Sequence, residues 1–385
     1  MNASRKIVFL SRLMPFYRIP VMQELDVRLN GSAVLVYSGT PIPGEKVNEI
    51  PDVEGVETRK LPFRSIPFPG KYSVGYLKGL TSLLDEIQPA VIVTEGESNF
   101  INNLLVYLYC RRHQIPYLWW SCGRVRHIPV SFLRKIAYPV LHFVLNRASA
   151  VIGYSRYACR YYQREYGIRP ERTFFSPNSL LKSEMEKDFT LYQSRRKEFR
   201  GKLGIREDAP VILYVGAVVR EKRPDLFLEI FRSLKKRFPG LHGIIVGDGN
   251  FLPEIRRRGD TLKDMHITGK AVTEALGYFI ASDVYVMPGL GGLGLQQAMF
   301  CKKPVVCSVA DGTELDLVED GENGYFLEWD APLETWEDKC SSILSDPELH
   351  ARMGKKSRDI IEHEFNSDIM LDNIIRAIQY STAER

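Results

Sequence analysis

Three segments in the second half of the chain carry residue types suited to holding a negatively charged group. The first reads Val215-Gly216-Ala217-Val218-Val219-Arg220-Glu221-Lys222-Arg223-Pro224 and leads into a helical pattern. A glycine turn and a basic loop at a helix start offer backbone N–H groups beside cationic side chains, which suits a phosphate neutralised by Lys222 or Arg220. The second reads Met287-Pro288-Gly289-Leu290-Gly291-Gly292-Leu293-Gly294-Leu295-Gln296-Gln297-Ala298, with four glycines in the six residues from Gly289. Glycine at that density between a strand and a helix lets the backbone approach a ligand closely. Its spacing does not match a dinucleotide fingerprint. The third runs from Asp311 to Gly324; Thr313 reads as a helix N-cap beside Glu314 and Asp316, and Asp320-Gly321-Glu322-Asn323-Gly324 reads as a turn. Each also has a plain structural reading: a solvated charged turn, a tight helix-to-sheet turn and a capping motif.

These segments need elements to position them. Short apolar runs occur at 7–10, 33–39, 90–96, 115–120 and 150–155, and again at 211–219, 242–249, 265–269, 283–289, 304–310 and 324–329. Helix-length amphipathic stretches separate most of them, including 76–87, 100–113, 131–146, 225–237, 274–281 and 293–301. Apolar strands alternating with helices predict parallel sheets covered on both faces, and two such series predict two Rossmann-like domains. The polar stretch at 178–206, after Ser176-Pro177-Asn178, marks the seam. The expected division is 1–190 and 191–365, with a C-terminal helix at about 366–385 returning to the first domain. Ligands of open parallel sheets sit beyond the carboxyl ends of the strands, so two domains facing each other make one cleft.

A length of 385 residues fits two domains, and 44% hydrophobic with 26% charged residues excludes a disordered or collagen-like chain. The net charge of +5 is unevenly spread. Residues 1–190 hold 25 Lys/Arg against 16 Asp/Glu, leaving 27 against 31 for the remainder. No acidic residue lies between Glu97 and Glu165, while Arg111, Arg112, Arg124, Arg126, Arg134, Lys135, Arg147, Arg156, Arg160 and Arg164 do. That asymmetry predicts an anionic partner for the first half. The six cysteines form no C-x-x-C and no zinc-like spacing with histidine, so they read as reduced core residues of a cytoplasmic protein. The run at Ile7–Leu10 is too short for a secretory segment, and no stretch is apolar enough to span a membrane. Arg-rich helices carrying Phe132, Tyr138, Phe143, Tyr157, Tyr161 and Tyr162 suit anionic headgroups, although the same aromatics could be core.

Taken in order, the motifs resemble the retaining GT-B glycosyltransferases of family 4. Gly216, Glu221 and Lys222 match the family's first loop; Gly247-Asp248-Gly249 matches its second; Gly269-Lys270-Ala271-Val272 approximates its third. Asp283 to Pro288 and Ala298-Met299 with Lys303-Pro304-Val305-Val306 frame the fourth, and Glu314, Val318, Gly321, Asn323 and Gly324 match the last. The departures are specific. Ala217 replaces the usual arginine, Gly289 and Gln297 replace both glutamates of the Glu-x7-Glu motif, and the Gly-rich loop from Pro288 to Leu295 resembles a variant branch of the family. Ser11-Arg12-Leu13-Met14-Pro15-Phe16-Tyr17-Arg18 replaces a glycine-rich first loop, and Cys122 stands near the place of the active-site histidine, with His127 nearby.

The resemblance implies a GT-B architecture: two Rossmann-like domains facing across a cleft. It implies a nucleotide diphosphate donor, UDP-sugar by preference, and a glycan or polyprenyl-diphosphate-linked acceptor in surface polysaccharide or glycolipid synthesis. The donor would be bound by Gly216, Lys222, Gly247, Lys270, Val272, Gly289, Leu290, Gly291, Gly292, Leu293, Gly294 and Gln297. Lys222, Arg220 and Glu314 would serve catalysis; Arg12, Tyr17, Arg18, Cys122, Arg124 and His127 would meet the acceptor. The leaving phosphate can itself accept the acceptor's proton, so no protein base is required, and without a D-x-D no metal or other cofactor is expected. The alternatives are a sugar-nucleotide epimerase of the same fold, for which His113, His127 and His142 do not assemble an acid/base pair, and a non-enzymatic donor-binding partner subunit. A pyridoxal-dependent phosphorylase lacks a marked lysine, and the basic stretch contains no nucleic-acid module.

Overall fold

The computed structural model describes residues 6–42, 51–66, 74–96, 99–126, 132–271, 274–309 and 311–383. It divides into two compact units, one of Met1–Arg124, Pro129–Leu180 and Ser367–Arg385, the other of Val125–Ile128 and Leu181–Asn366.

Unit 1 is built on strands β1 (Ile7–Leu10), β2 (Ala33–Ser38), β3 (Glu57–Leu61), β6 (Val91–Glu95), β7 (Tyr117–Ser121), β8 (Ala150–Gly153) and β9 (Thr173–Phe175), in the order β3-β2-β1-β6-β7-β8-β9. All pairings in this sheet are parallel. Every residue of β1, β2, β7 and β8 is buried, as continuous apolar strands covered on both faces should be. A separate antiparallel hairpin joins β4 (Phe63–Ile66) to β5 (Val74–Leu77). The C-terminal helix Ser367–Ala383 belongs to this unit: Ser176 Oγ donates to Met370 O at 3.0 Å, and Arg28 pairs with Asp368 and Asp372 at 2.6 and 2.9 Å.

Unit 2 carries β10 (Val211–Val215), β11 (His242–Val246), β12 (Met265–Gly269), β13 (Val284–Met287), β14 (Val305–Ser308) and β15 (Gly324–Leu327), in the order β12-β11-β10-β13-β14-β15. These too are parallel throughout. Its core joins Ile212, Ile245, Val286 and Val306 of the sheet to Phe227, Phe231, Trp336 and Cys340 of the covering helices.

The strands stop earlier than the apolar runs suggest. β10 ends at Val215 and β11 at Val246 because Gly216 and Gly247 turn the chain out of the ladder. The stretch at 178–206 contains two helices, Lys182–Tyr192 and Arg196–Lys202, rather than a linker, and the division falls at Leu180/Leu181 rather than at 190. Phe199 and Arg200 of the second helix are fully buried in unit 2. There Arg196 and Arg200 grip Asp283 at 2.7 and 3.0 Å, just before β13.

Candidate active site

In each sheet the strand order reverses at one place, and in such sheets that place is where ligands bind. In unit 2 it lies between β10 and β13. The loops leaving their carboxyl ends are the first two segments singled out above, and they touch. Lys222 Nζ donates to Leu290 O at 3.0 Å and to Gly291 O at 3.3 Å, while Leu290 N donates to Glu221 O at 3.0 Å. A Cβ on Gly289 would stand 2.5 Å from the carbonyl carbon of Lys222 and 2.7 Å from Glu221 O, so the turn at Arg220–Lys222 fits only against glycine. A Cβ on Gly294 would meet the Tyr285 hydroxyl at 2.6 Å and Val215 O at 3.0 Å. The glycines therefore serve close packing of one loop on the other as well as access by a ligand.

The turns are pinned from neighbouring strand ends. Gly216 N donates to Val246 O, Val218 N to Asp248 O and Phe251 N to Val218 O, at 2.9–3.0 Å. Gly247 N donates to Gly269 O at 2.8 Å, and a Cβ on Gly247 would lie 1.8 Å from Gly216 O. Tyr214 Oη donates to Ala217 O at 2.9 Å and Tyr285 Oη to Val215 O at 3.1 Å. Burial pushes both phenol pKa values above their ordinary value, so both remain hydrogen-bond donors. Neither tyrosine stands among the sequence-predicted site residues; both lie within apolar strands and give no signal beyond a polar tip.

The structure thus brings Gly216, Lys222, Gly247, Gly289, Leu290, Gly291, Gly292 and Gly294 to neighbouring strand ends. Gln297 is half-buried one turn into the helix Gly294–Phe300, its N–H bonded to Leu293 O. Lys270 is exposed after β12; Val272 lies outside the described residues. Arg220 is exposed and its guanidinium rests 4.4 Å above the Phe251 ring, whereas Lys222 bonds the Leu290 and Gly291 carbonyls. Glu314 is fully buried, and its Oε2 accepts from Gly312 N at 2.8 Å, a bond that shapes its own loop. Thr313 has helical backbone angles and makes no side-chain cap bond, so the expected N-cap does not form; instead its N–H and hydroxyl both bond Asp311 Oδ1.

In unit 1 the reversal lies between β1 and β6. Arg12 N, just past β1, donates to Glu95 Oε2 at the end of β6 at 2.7 Å. Arg18 is buried; its Nη2 donates to Tyr154 Oη at 3.0 Å and to Asn178 Oδ1 at 3.3 Å, and its guanidinium lies 4.8 Å above the Trp120 ring. Burial opposes its charge, but Tyr154, Tyr17 and Glu95 outweigh burial and hold its pKa above the ordinary value. Burial likewise pushes the Tyr154 phenol up to about 12. Tyr17 and Arg124 are exposed, Cys122 is half-buried and His127 lies outside the described residues. Glu95, Tyr154, Asn178 and Trp120 are additions from the structure; only the polar residue ending the run at Glu95 could have signalled one of them.

Comparison with known proteins follows the same division. Residues 27–179 match the glycosyl transferase 4-like domain, and residues 195–360 match glycosyl transferases group 1. HepE of Anabaena, solved in complex with UDP, superposes with a TM-score of 0.75 at 17% identity, covering 97% of this chain and 99% of that one. WaaG, a glycosyltransferase involved in lipopolysaccharide biosynthesis, superposes at 0.67 with 14% identity over 97% and 99%. Among curated proteins, the alpha-D-kanosaminyltransferase of Streptomyces kanamyceticus is 27% identical over 60% of this chain and 61% of its own. The D-inositol 3-phosphate glycosyltransferase of Paenarthrobacter aurescens is 27% identical over 42% of each. The matched part thus spans roughly half the length of these curated relatives. By fold the chain has the GT-B architecture of two Rossmann-like units, and each unit matches a glycosyl transferase domain model.

Proposed function

We propose that the chain transfers a sugar from a nucleotide diphosphate donor, a UDP-sugar by preference, to a hydroxyl of a glycan or lipid-linked acceptor. It does so with retained anomeric configuration and without a metal, as a family 4 enzyme of a branch lacking both motif glutamates, at the surface of an anionic membrane. The observation that carries this reading is the contact of Lys222 with the Leu290–Gly291 carbonyls at the reversal of the unit 2 sheet. The UDP named with HepE and the sugar transfers named for the curated relatives support it.

In this reading the Lys222 ammonium exchanges two neutral carbonyl acceptors for the donor's diphosphate, a stronger partner. The amides of Gly291 to Gly294 stabilise the charge that grows on the leaving group. Gln297 bonds ribose hydroxyls without adding charge, and Lys270 with Val272 flanks the base. Arg220 swings from Phe251 to assist, and Glu314 acts by holding the Gly312 loop in place. The acceptor oxygen bonds to the anomeric carbon on the face from which the diphosphate departs. The bond from that carbon to the phosphate oxygen breaks, and the acceptor's proton passes to the departing oxygen. Arg12, Tyr17, Arg18, Cys122, Arg124 and His127 then belong to the acceptor side.

The missing carboxylates at Gly289 and Gln297 favour one second reading, a donor-binding subunit without turnover of its own. A panel of nucleotide sugars separates the two. The transferase reading predicts thermal stabilisation by one nucleoside diphosphate and transfer from, or slow hydrolysis of, the matching sugar nucleotide. Stabilisation without turnover for any acceptor supports the subunit; no stabilisation by any nucleoside diphosphate overturns both.

A further inference from the structure

The helix Phe132–Leu145 of unit 1 is apolar on two sides. Leu141, Val144 and Leu145 enter the core of the unit. On the outer side Ile136, Val140 and Phe143, spaced i, i+4, i+7, remain 61%, 40% and 43% exposed, with Tyr138 beside them. The helix Phe100–His113 packs alongside through Tyr107, whose ring meets Phe143 edge-on at 5.6 Å, and it exposes Leu108. A contiguous exposed apolar face marks an interaction surface.

The surrounding charge narrows what covers it. Lys135, Arg111, Arg112 and Arg147 are exposed around this face, and the sequence from Ser98 to Arg164 contains no acidic residue; exposed Glu165, whose backbone carbonyl accepts from Tyr138 Oη at 2.9 Å, stands at its edge. Arg147 stacks on Phe143 at 3.5 Å and lines the mouths of two adjoining hollows of about 360 and 540 Å³. Arg111 and Tyr117 line the first, Tyr138 and His142 the second. Basic residues alone suit any polyanion. An aliphatic stripe ringed by basic residues suits an anionic bilayer, because only there does an apolar layer lie directly beneath dense negative charge.

We propose that this face docks on an anionic lipid bilayer. Ile136, Val140 and Phe143 enter the headgroup–acyl boundary, and Lys135, Arg111 and Arg147 meet the lipid phosphates. This rests on the membrane-surface reading above and assigns it a surface. It is read out by binding alone, so its failure is separate from failure of sugar transfer.

The test is flotation of the full chain with phosphatidylcholine vesicles, with and without phosphatidylglycerol. The expected result is flotation with the anionic vesicles only, weakened by salt. Arg111→Gln with Arg147→Gln should lower partitioning roughly 30-fold, since each basic residue contributes about a factor of five near an anionic surface. Val140→Glu with Phe143→Glu should abolish it, and both variants should keep the wild-type thermal shift with UDP. Equal flotation with neutral vesicles, flotation of the glutamate variant at wild-type levels, or binding of RNA without binding of vesicles would overturn the proposal. The wild-type comparison stands even if a variant fails to fold.

Discussion

At the residue scale the account turns on Lys222 and Gly289. Lys222 is half-buried and already aimed at the loop that closes over it, so it needs little rearrangement to meet a diphosphate. Lys222→Ala should lower turnover on the order of 100- to 1,000-fold, the range for losing one charge-stabilising donor, and remove the thermal shift given by UDP. Steady-state kinetics beside differential scanning fluorimetry would check this; a turnover within a few-fold of wild type would place the diphosphate elsewhere. Gly289 answers a different question. Although a glutamate is usual there in the family that the sequence resembles, the Cβ it needs would collide with the backbone of Lys222. Restoring it as Gly289→Glu should therefore displace the Arg220–Lys222 turn and reduce both donor binding and turnover. An increase in activity would show that the turn yields and that the missing carboxylate limits the enzyme.

At the element scale the parallel sheets were legible and their margins were not. β1, β2, β10 and β11 announce themselves as apolar runs because both their faces are covered. β3, reading ETRKL at the sheet edge, offers no such run, and neither do the hairpin β4–β5 or the three-residue β9. The Lys222 site was readable because glycine turns and a lysine lie in two short segments. The bond from Arg12 to Glu95 was not, because it joins residues 83 apart through the adjacency of β1 and β6. The amino edge of the unit 2 sheet gives a further prediction. Lys303 precedes β14 and is buried, its Nζ donating to Ser282 O at 2.8 Å and Ile280 O at 3.3 Å. Burial, aided by Arg196, lowers its pKa to about 8 from the usual 10.5. Between those values the unfolded chain binds more protons than the folded one, so stability from this group rises with pH across that window. Lys303→Met should abolish that rise, on the order of 3 kcal/mol over the full span. Urea unfolding from pH 8 to pH 10 would measure it, and parallel curves for wild type and variant would refute the assignment.

At the scale of the whole molecule, charge and chemistry are divided between the units. The sequence excess of basic residues lies in the first half, and the lysine proposed to meet the donor lies in the other, where acidic residues outnumber basic ones. In the proposed reading donor phosphate is held by a local arrangement, one ammonium and a row of amides, rather than by the field of its unit. The basic face of unit 1 is left for a membrane, as the flotation experiment tests. The same division explains why net charge alone said little: +5 is the residue of two opposed halves.

The most direct test is hydrogen–deuterium exchange of the full chain with and without UDP. The account predicts slowed exchange in the two loops that meet at the unit 2 reversal, Gly216–Arg223 and Gly289–Gln297, with the strands of the unit 1 sheet unchanged. Binding of UDP that leaves both loops unprotected, or that protects the strand ends around Arg12 and Glu95 instead, would contradict it.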